Sequence, residues 1–376
     1  MSAVGSGRLF SLDAARGFAV FAMVIAHTSP FIRPAPKAVE LVEDALNDVA
    51  APLFALIIGV TVAVTGPAPS TADPSARRRY QLQTAVKAAA LIGIGILLEL
   101  APSGVNIVLQ TLGVTMLLAI PLLFARVRTL LVWAAALMVV GPGIVTGLRV
   151  LAESRPELVF PRTPLTVLLD LLALNPGYQV LAFLPLLLAG IAIGRTVLSD
   201  RRPMTVLLAV SFAALLPMQL WKSLDLAGTG LRGGYVEVWR EAPLALCAFA
   251  LIVLLTDLAS DRVAAMRRVF APFSVQGRLA LSVYAFHVLV LMWLFAVRAT
   301  ASPETLPWFA PPRGWLLQIG LVTACWMFSA AWWRWLGVGP IERVIGALSG
   351  RHPWSSVWAT SRRTHISRRE RTGAPV

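Results

Sequence analysis

The chain has 376 residues, of which 57% are hydrophobic and only 14% charged, with a mean hydropathy of +0.74. Such a composition excludes a soluble globular enzyme and describes a polytopic membrane protein. The net charge of +14 points to nucleic acid only if the basic residues gather on a soluble surface, and here they follow the loops between apolar stretches.

Ten stretches are long and apolar enough to cross a bilayer, at about 14–32, 49–65, 84–100, 105–124, 129–148, 178–198, 203–221, 243–259, 279–299 and 315–337. The first holds Asp13, Arg16 and His27. Ionisable groups in a membrane segment are costly and face a protein interior or a wet cavity, so they mark a functional site by default. At 3.6 residues per turn His27 returns to the helix face of Arg16 about 16 Å further along the axis, and Asp13 lies one turn before Arg16. Arg8 before an apolar run resembles a secretory signal, but Asp13 and Arg16 interrupt the run and no small-residue cleavage site follows, so a retained span is expected.

Between the first two spans, residues 33–48 alternate apolar and acidic positions and predict a short amphipathic helix on the outer surface. Asn47 and Asp48 then open the second span at the outer boundary; since this span returns antiparallel beside the first, Asp48 is placed to orient His27 or bind an acceptor, and an ordinary N-cap at Asn47 or Asp48 is the other reading. Residues 67–79, rich in Pro, Ser and Ala before Arg77, Arg78 and Arg79, predict a flexible cytoplasmic loop. Glu99 ends the third span as a cavity carboxylate or an interfacial residue. The apolar piece from Pro164 to Leu174 is too short to span and predicts an interfacial or re-entrant helix ending at Asn175-Pro176-Gly177. A glycine-rich segment from Asp225 to Tyr235 is a candidate lid or a plain loop.

In the ninth span Tyr284 and His287 share a face, with His287 about 13 Å in from Arg278 at the inner boundary. A mid-membrane histidine beside a tyrosine points into the bundle, as an interhelical hydrogen bond or a site residue. Cys247 and Cys325 lie in spans and read as apolar filler. No metal-ligand spacing, phosphate loop, dinucleotide fingerprint or serine elbow is present.

With the N-terminus in the cytoplasm, 23 of the 33 basic residues face inward, which fits ten helices with both termini cytoplasmic. The expected fold is therefore all-α: a transmembrane domain over 1–350 and a basic tail over 351–376, disordered or resting on anionic headgroups.

These residues also carry a family likeness. Arg8-Leu-Phe-Ser-Leu-Asp-Ala-Ala-Arg16-Gly17, with His27 eleven residues after Arg16, resembles the opening motif of the transmembrane acyltransferase superfamily. Asn47-Asp48-Val-Ala-Ala-Pro-Leu-Phe-Ala-Leu-Ile-Ile-Gly59 resembles the second-helix motif of its branch containing heparan-α-glucosaminide N-acetyltransferase and bacterial YeiB-like proteins. Gly177-Tyr178, Leu188-Ala-Gly190 to Arg195, Gly277-Arg278 to His287 and Gly339-Pro340-Ile-Glu342 extend the likeness to about residue 350.

The resemblance implies transfer of an acyl group, usually acetyl, from cytoplasmic acyl-CoA to a hydroxyl or amine, as on a glycan, at the outer face. It places the protein in the cytoplasmic membrane of a bacterial-type cell and calls for no metal. The functional arginine and histidine of the sibling branch map onto Arg16 and His27. In the heparan branch the active histidine lies in the outer loop after the first helix, and here no histidine falls between Thr28 and Asp48, which leaves His27. The expected site is then His27 and Asp48 for catalysis, Arg16, Arg195, Tyr284 and His287 toward acyl-CoA, and Asn47, Glu99 and Tyr178 toward the acceptor. The same polar stripe also serves a secondary transporter as a proton or substrate path, and a non-catalytic scaffold is a third reading. Oligomeric state and acyl length stay open.

Overall fold

The computed structural model describes residues 9–350 apart from 102, 161–162, 227–230, 259–261 and 301–313. The expected basic tail, Arg8 and part of the 225–235 loop lie outside the described residues. Every regular element among the described residues is a helix. In chain order these are α1 (Phe10–Thr28), α2 (Lys37–Thr65), α3 (Pro74–Glu99), α4 (Leu109–Ala119), α5 (Val127–Ser154), α6 (Pro164–Leu169) and α7 (Val180–Thr196). They continue as α8 (Arg201–Ser223), α9 (Tyr235–Thr256), α10 (Val263–Val269), α11 (Ala271–Arg278), α12 (Ala280–Thr300), α13 (Gly314–Trp335) and α14 (Pro340–Leu348).

Eight of them, α1, α2, α3, α5, α8, α9, α12 and α13, are long and apolar enough to cross a membrane. This is an all-α polytopic membrane protein. The two remaining expected spans are shorter. In the span expected at 105–124 helix begins only at Leu109 and ends with a 3-10 turn at Leu122, a length of about 21 Å against a hydrocarbon core of about 30 Å. Residues 103–108 before it are irregular. Non-helical backbone at membrane depth survives only where it lines a protein cavity, and this segment contributes to both cavities described below. Helix α7, with 17 residues, is buried along most of its length against α2, α5 and α4, so its ends need not reach the lipid headgroups.

Two loop expectations are corrected. Residues 37–48 are the first turns of α2, which runs unbroken through Pro52 to Thr65 and not as a separate surface helix. The amphipathic pattern arises because Glu43 turns inward to accept from Gln318 of α13 while Leu41 and Val42 stay exposed. The arginine triplet belongs to α3 and not to the preceding loop. Asp73 accepts from the Ala76 N–H at 2.6 Å and Pro74 occupies the first helical position, a start signal that the Pro-rich composition hides. That N–H bond to the ionised form holds the Asp73 carboxyl below its usual range. The Pro164–Leu174 piece forms α6 and one π-helical turn, opened by a Thr163–Thr166 capping box.

Helices α1, α2, α7 and α9 form the buried centre, while α8 packs chiefly on α9 and is the least buried of the long helices. Glycines set the two closest crossings. A Cβ on Gly277 would fall 1.7 Å from the Asp13 carbonyl oxygen, and one on Gly17 would fall 1.8 Å from that of Phe273, so α1 and α11 touch backbone to backbone. Gly59 and Gly190 do the same for α2 and α7. Small residues at such contacts let dispersion replace the hydrophobic force that lipid cannot supply. We predict that Gly277→Ala forces α11 away from α1 and costs about 1–3 kcal/mol or more, seen as a lowered melting temperature in detergent, whereas Gly320→Ala, facing open space, leaves it unchanged.

Candidate functional site

The α1–α11 contact sets the charges at one end of the bundle. Asp13 is 1% exposed, and its two oxygens pair with Arg16 at 2.9 Å and Arg278 at 3.3 Å. A buried carboxylate is tolerated when paired in this way. Arg16 also donates to Thr61 of α2, and Arg278 stacks over Trp333 at 4.5 Å. Both guanidinium groups border a cavity of about 330 Å³. Lys87 also lines it, and most of the remaining lining is apolar, with Phe54, Ile57, Leu91, Leu112 and Met116. Glu342 is its acidic lining residue. The Glu342 carboxylate accepts from the Leu281 and Ser282 N–H groups and the Ser282 hydroxyl, capping α12, and burial pushes its pKa up. The cavity therefore joins three cationic side chains to a largely apolar lining.

At the opposite end of α1 lies a second cavity of about 230 Å³. His27, Asn47, Asn106, Tyr178 and Gln179 line it together with Arg232, Glu237 and Glu241. Two sets of ion pairs lie in and behind this lining. Arg232 pairs with Glu237 at 3.3 Å and Glu241 at 3.4 Å. Asp48 pairs with Arg240 at 2.6 Å and with Lys222 at 3.2 Å. The Gly233 N–H also donates to Glu237, which fixes the loop leading into α9. Three acids and three bases alternate there, so the wall is polar but close to neutral.

A thin wall separates the two cavities. Tyr284 and Val108 face the first, and Val105 and His27 the second. The Tyr284 hydroxyl accepts from the Val108 N–H at 3.3 Å, and its ring meets His287 edge-on at 5.1 Å. His287 is fully buried, and its Nε2 lies 3.0 Å from His27 Nδ1.

The residues singled out from sequence thus divide. Arg16 and Tyr284 line the first cavity, His27, Asn47 and Tyr178 the second, and His287 stands between them. Asp48 lies behind the second cavity with Arg240 and Lys222, while the partner of His27 is His287. Arg195 donates to the Ala125 and Leu123 carbonyls and ties down the chain after α4, away from the first cavity. Glu99 is exposed and accepts from Gln110, outside both cavities. Sequence reasoning missed Lys87 and Arg278 at the first cavity and Arg232, Glu237, Arg240 and Glu241 at the second. For the last four the signal was present: four ionisable residues within ten positions running into an apolar helix.

The catalytic-domain family of heparan-α-glucosaminide N-acetyltransferase matches residues 8–220, more than half of the chain. The chain belongs to that family. It is a family of membrane acetyltransferases. A second family, described as a protein of unknown function (DUF418), matches residues 194–350. No curated protein matches the chain. The first match carries Arg16, His27 and Asn47, the second Arg278, Tyr284 and His287, and each cavity draws its walls from both regions.

Arg240 is 3% exposed and Asp48 is its ion-pair partner. Asp48→Ala therefore removes the ion-pair partner of a buried cation, at a cost of about 3–5 kcal/mol. The expected outcome is a fall in thermal stability that an Asp48→Ala, Arg240→Met double variant largely reverses.

Proposed function

We propose that the protein moves an acyl group, acetyl in the simplest case, from acyl-CoA in the first cavity to a hydroxyl or amine of an acceptor in the second. The observation that carries this reading is the pair of cavities of opposite chemistry meeting at one histidine-bearing wall. The first, largely apolar with three cations in its lining, suits an extended pantetheine arm whose phosphates stay among Arg16, Lys87 and Arg278. The second, lined by amides, carboxylates, Arg232 and Tyr178, suits a hydroxyl-rich acceptor such as a glycan. In this reading the first cavity opens to the cytoplasm and the second to the outer face of a cytoplasmic membrane, an orientation that the excess of basic residues in the loops on the first side supports. That is where acyl-CoA and envelope glycans respectively reside.

In this reading His27 takes the proton of the acceptor as its oxygen or nitrogen attacks the thioester carbonyl. The carbon–sulfur bond breaks, CoA leaves as a thiolate, and the proton held by His27 returns to that sulfur. His27 as a transient acyl carrier is the second route, and a thiol burst without acceptor would reveal it.

The test uses full-length protein in proteoliposomes with acetyl-CoA on the Arg16 side, following thiol release with and without glycan acceptors. His27→Ala is expected to lower turnover by about 10²-fold or more, and unchanged release would sink its role. Arg278→Ala removes a charge-assisted phosphate contact of about 1.5–3 kcal/mol, so KM for acetyl-CoA rises about tenfold or more with kcat little changed. Proton-driven solute uptake with no thiol release would instead establish transport.

A further inference from the structure

The wall between the cavities contains a group that general-base chemistry at His27 does not by itself require. His287 is fully buried and meets His27 across α1 and α12, Nε2 to Nδ1 at 3.0 Å. The ring planes are 20° apart and the centroids 5.2 Å apart. That separation is close to the N···N contact plus the two centre-to-nitrogen radii, so the nitrogens point at one another. The contact is an in-plane hydrogen bond and not a face-to-face stack.

A neutral imidazole carries one N–H, so such a bond has two arrangements. In one, His27 donates from Nδ1, its Nε2 is bare, and the proton of His287 sits on Nδ1. In the other, His287 donates from Nε2 and the proton of His27 moves to Nε2. What surrounds the far nitrogen of His287 chooses between them. That Nδ1 is buried with no well-formed partner among the described residues. On a helix the carbonyls of Val283 and Tyr284, four and three residues back, are the backbone groups nearest this ring, and a carbonyl accepts and cannot donate. A proton on Nδ1 is attracted by these oxygens, whereas a lone pair there is repelled. The first arrangement follows, and it leaves His27 Nε2 bare on the ring that lines the second cavity.

We propose that His287 is a positioning residue that accepts the His27 Nδ1–H and so holds His27 in the tautomer whose Nε2 faces the acceptor as a base. Unlike a carboxylate in the same place, a neutral imidazole adds no charge to the membrane interior while the site is idle. When His27 Nε2 takes the acceptor proton, the positive charge is shared across the Nδ1–H···Nε2 bond, and the return of the proton to the CoA sulfur restores the starting pair. Tyr284, edge-on to His287 and tied to the Val108 N–H, keeps the second ring from turning away. The proposal rests on the acyl-transfer reading for its catalytic consequence but not for its structural core.

The experiment is magic-angle-spinning NMR of full-length, ¹⁵N-histidine-labelled protein in lipid nanodiscs, with His27 assigned by its loss in His27→Ala. The expected result is a protonated His27 Nδ1 and a bare Nε2 in the wild type. His287→Gln, whose amide oxygen can still accept, keeps that tautomer, and His287→Ala loses it. In the thiol-release assay His287→Ala lowers kcat on the order of 10- to 100-fold at nearly constant KM, and His287→Gln recovers part of the loss.

A wild-type His27 with its proton on Nε2, or a His27 tautomer unmoved by His287→Ala, overturns the proposal. If His287→Ala does not fold, the wild-type tautomer and the His287→Gln spectrum still decide it. If the tautomer is as expected but the wild type never releases thiol, the acyl-transfer reading fails and the histidine pair stands.

Discussion

A buried carboxylate needs its counter-charges brought to it, and in this protein that need organises one end of the bundle. Asp13 is satisfied by an arginine one turn away on α1 and by another on α11, and the second can reach it only because Gly17 and Gly277 let the backbones touch. Once that contact is made, α12 must start directly after it, Glu342 caps its first turn, and two guanidinium groups are held in the lining of one cavity. Lipid supplies no hydrophobic force between helices, so close packing and internal pairing do most of the positioning. The α2–α7 crossing at Gly59 and Gly190 extends the same device to the centre.

The two cavities follow from a helix that starts late. Had α4 begun at the outer boundary, its side chains would fill the space between α1, α2 and α7. Residues 103–108 remain irregular instead, thin enough to leave room on both sides, and the Val108 N–H is satisfied by the Tyr284 hydroxyl. A polar group that no helix satisfies thereby becomes part of the partition between the cavities, together with the histidine pair.

Much of this was legible in the sequence because membrane burial makes each ionisable residue stand out. Arg16, His27, Asn47, Tyr178 and Tyr284 were all singled out and all line a cavity. Arg195 and Glu99 stood out by the same rule but serve ordinary hydrogen bonds to carbonyls and a glutamine. Charge alone does not say which neighbour a side chain will find. Asp48 was matched to His27 from the antiparallel return of α2, whereas Arg240 and Lys222, far along the chain, pair with it. Pairings of that kind depend on how α8 and α9 pack, which no local pattern encodes. The continuity of α2 through Pro52 and the late start of α4 escaped for a related reason: hydropathy reports apolar length, not where helical hydrogen bonding begins.

The Asp48 carboxylate is shared between a helix of the core and the helix most exposed to lipid. Arg240 holds it from α9, and Lys222 reaches it from the last turn of α8, otherwise bound to the bundle chiefly through α9. Bilayer thickness and lateral pressure act first on such a peripheral helix. Lys222 and Asp48 thereby tie this peripheral helix to α2, next to Asn47 in the lining of the second cavity. The wall of the polar cavity is thus anchored, on one side, to the helix that lipid touches most.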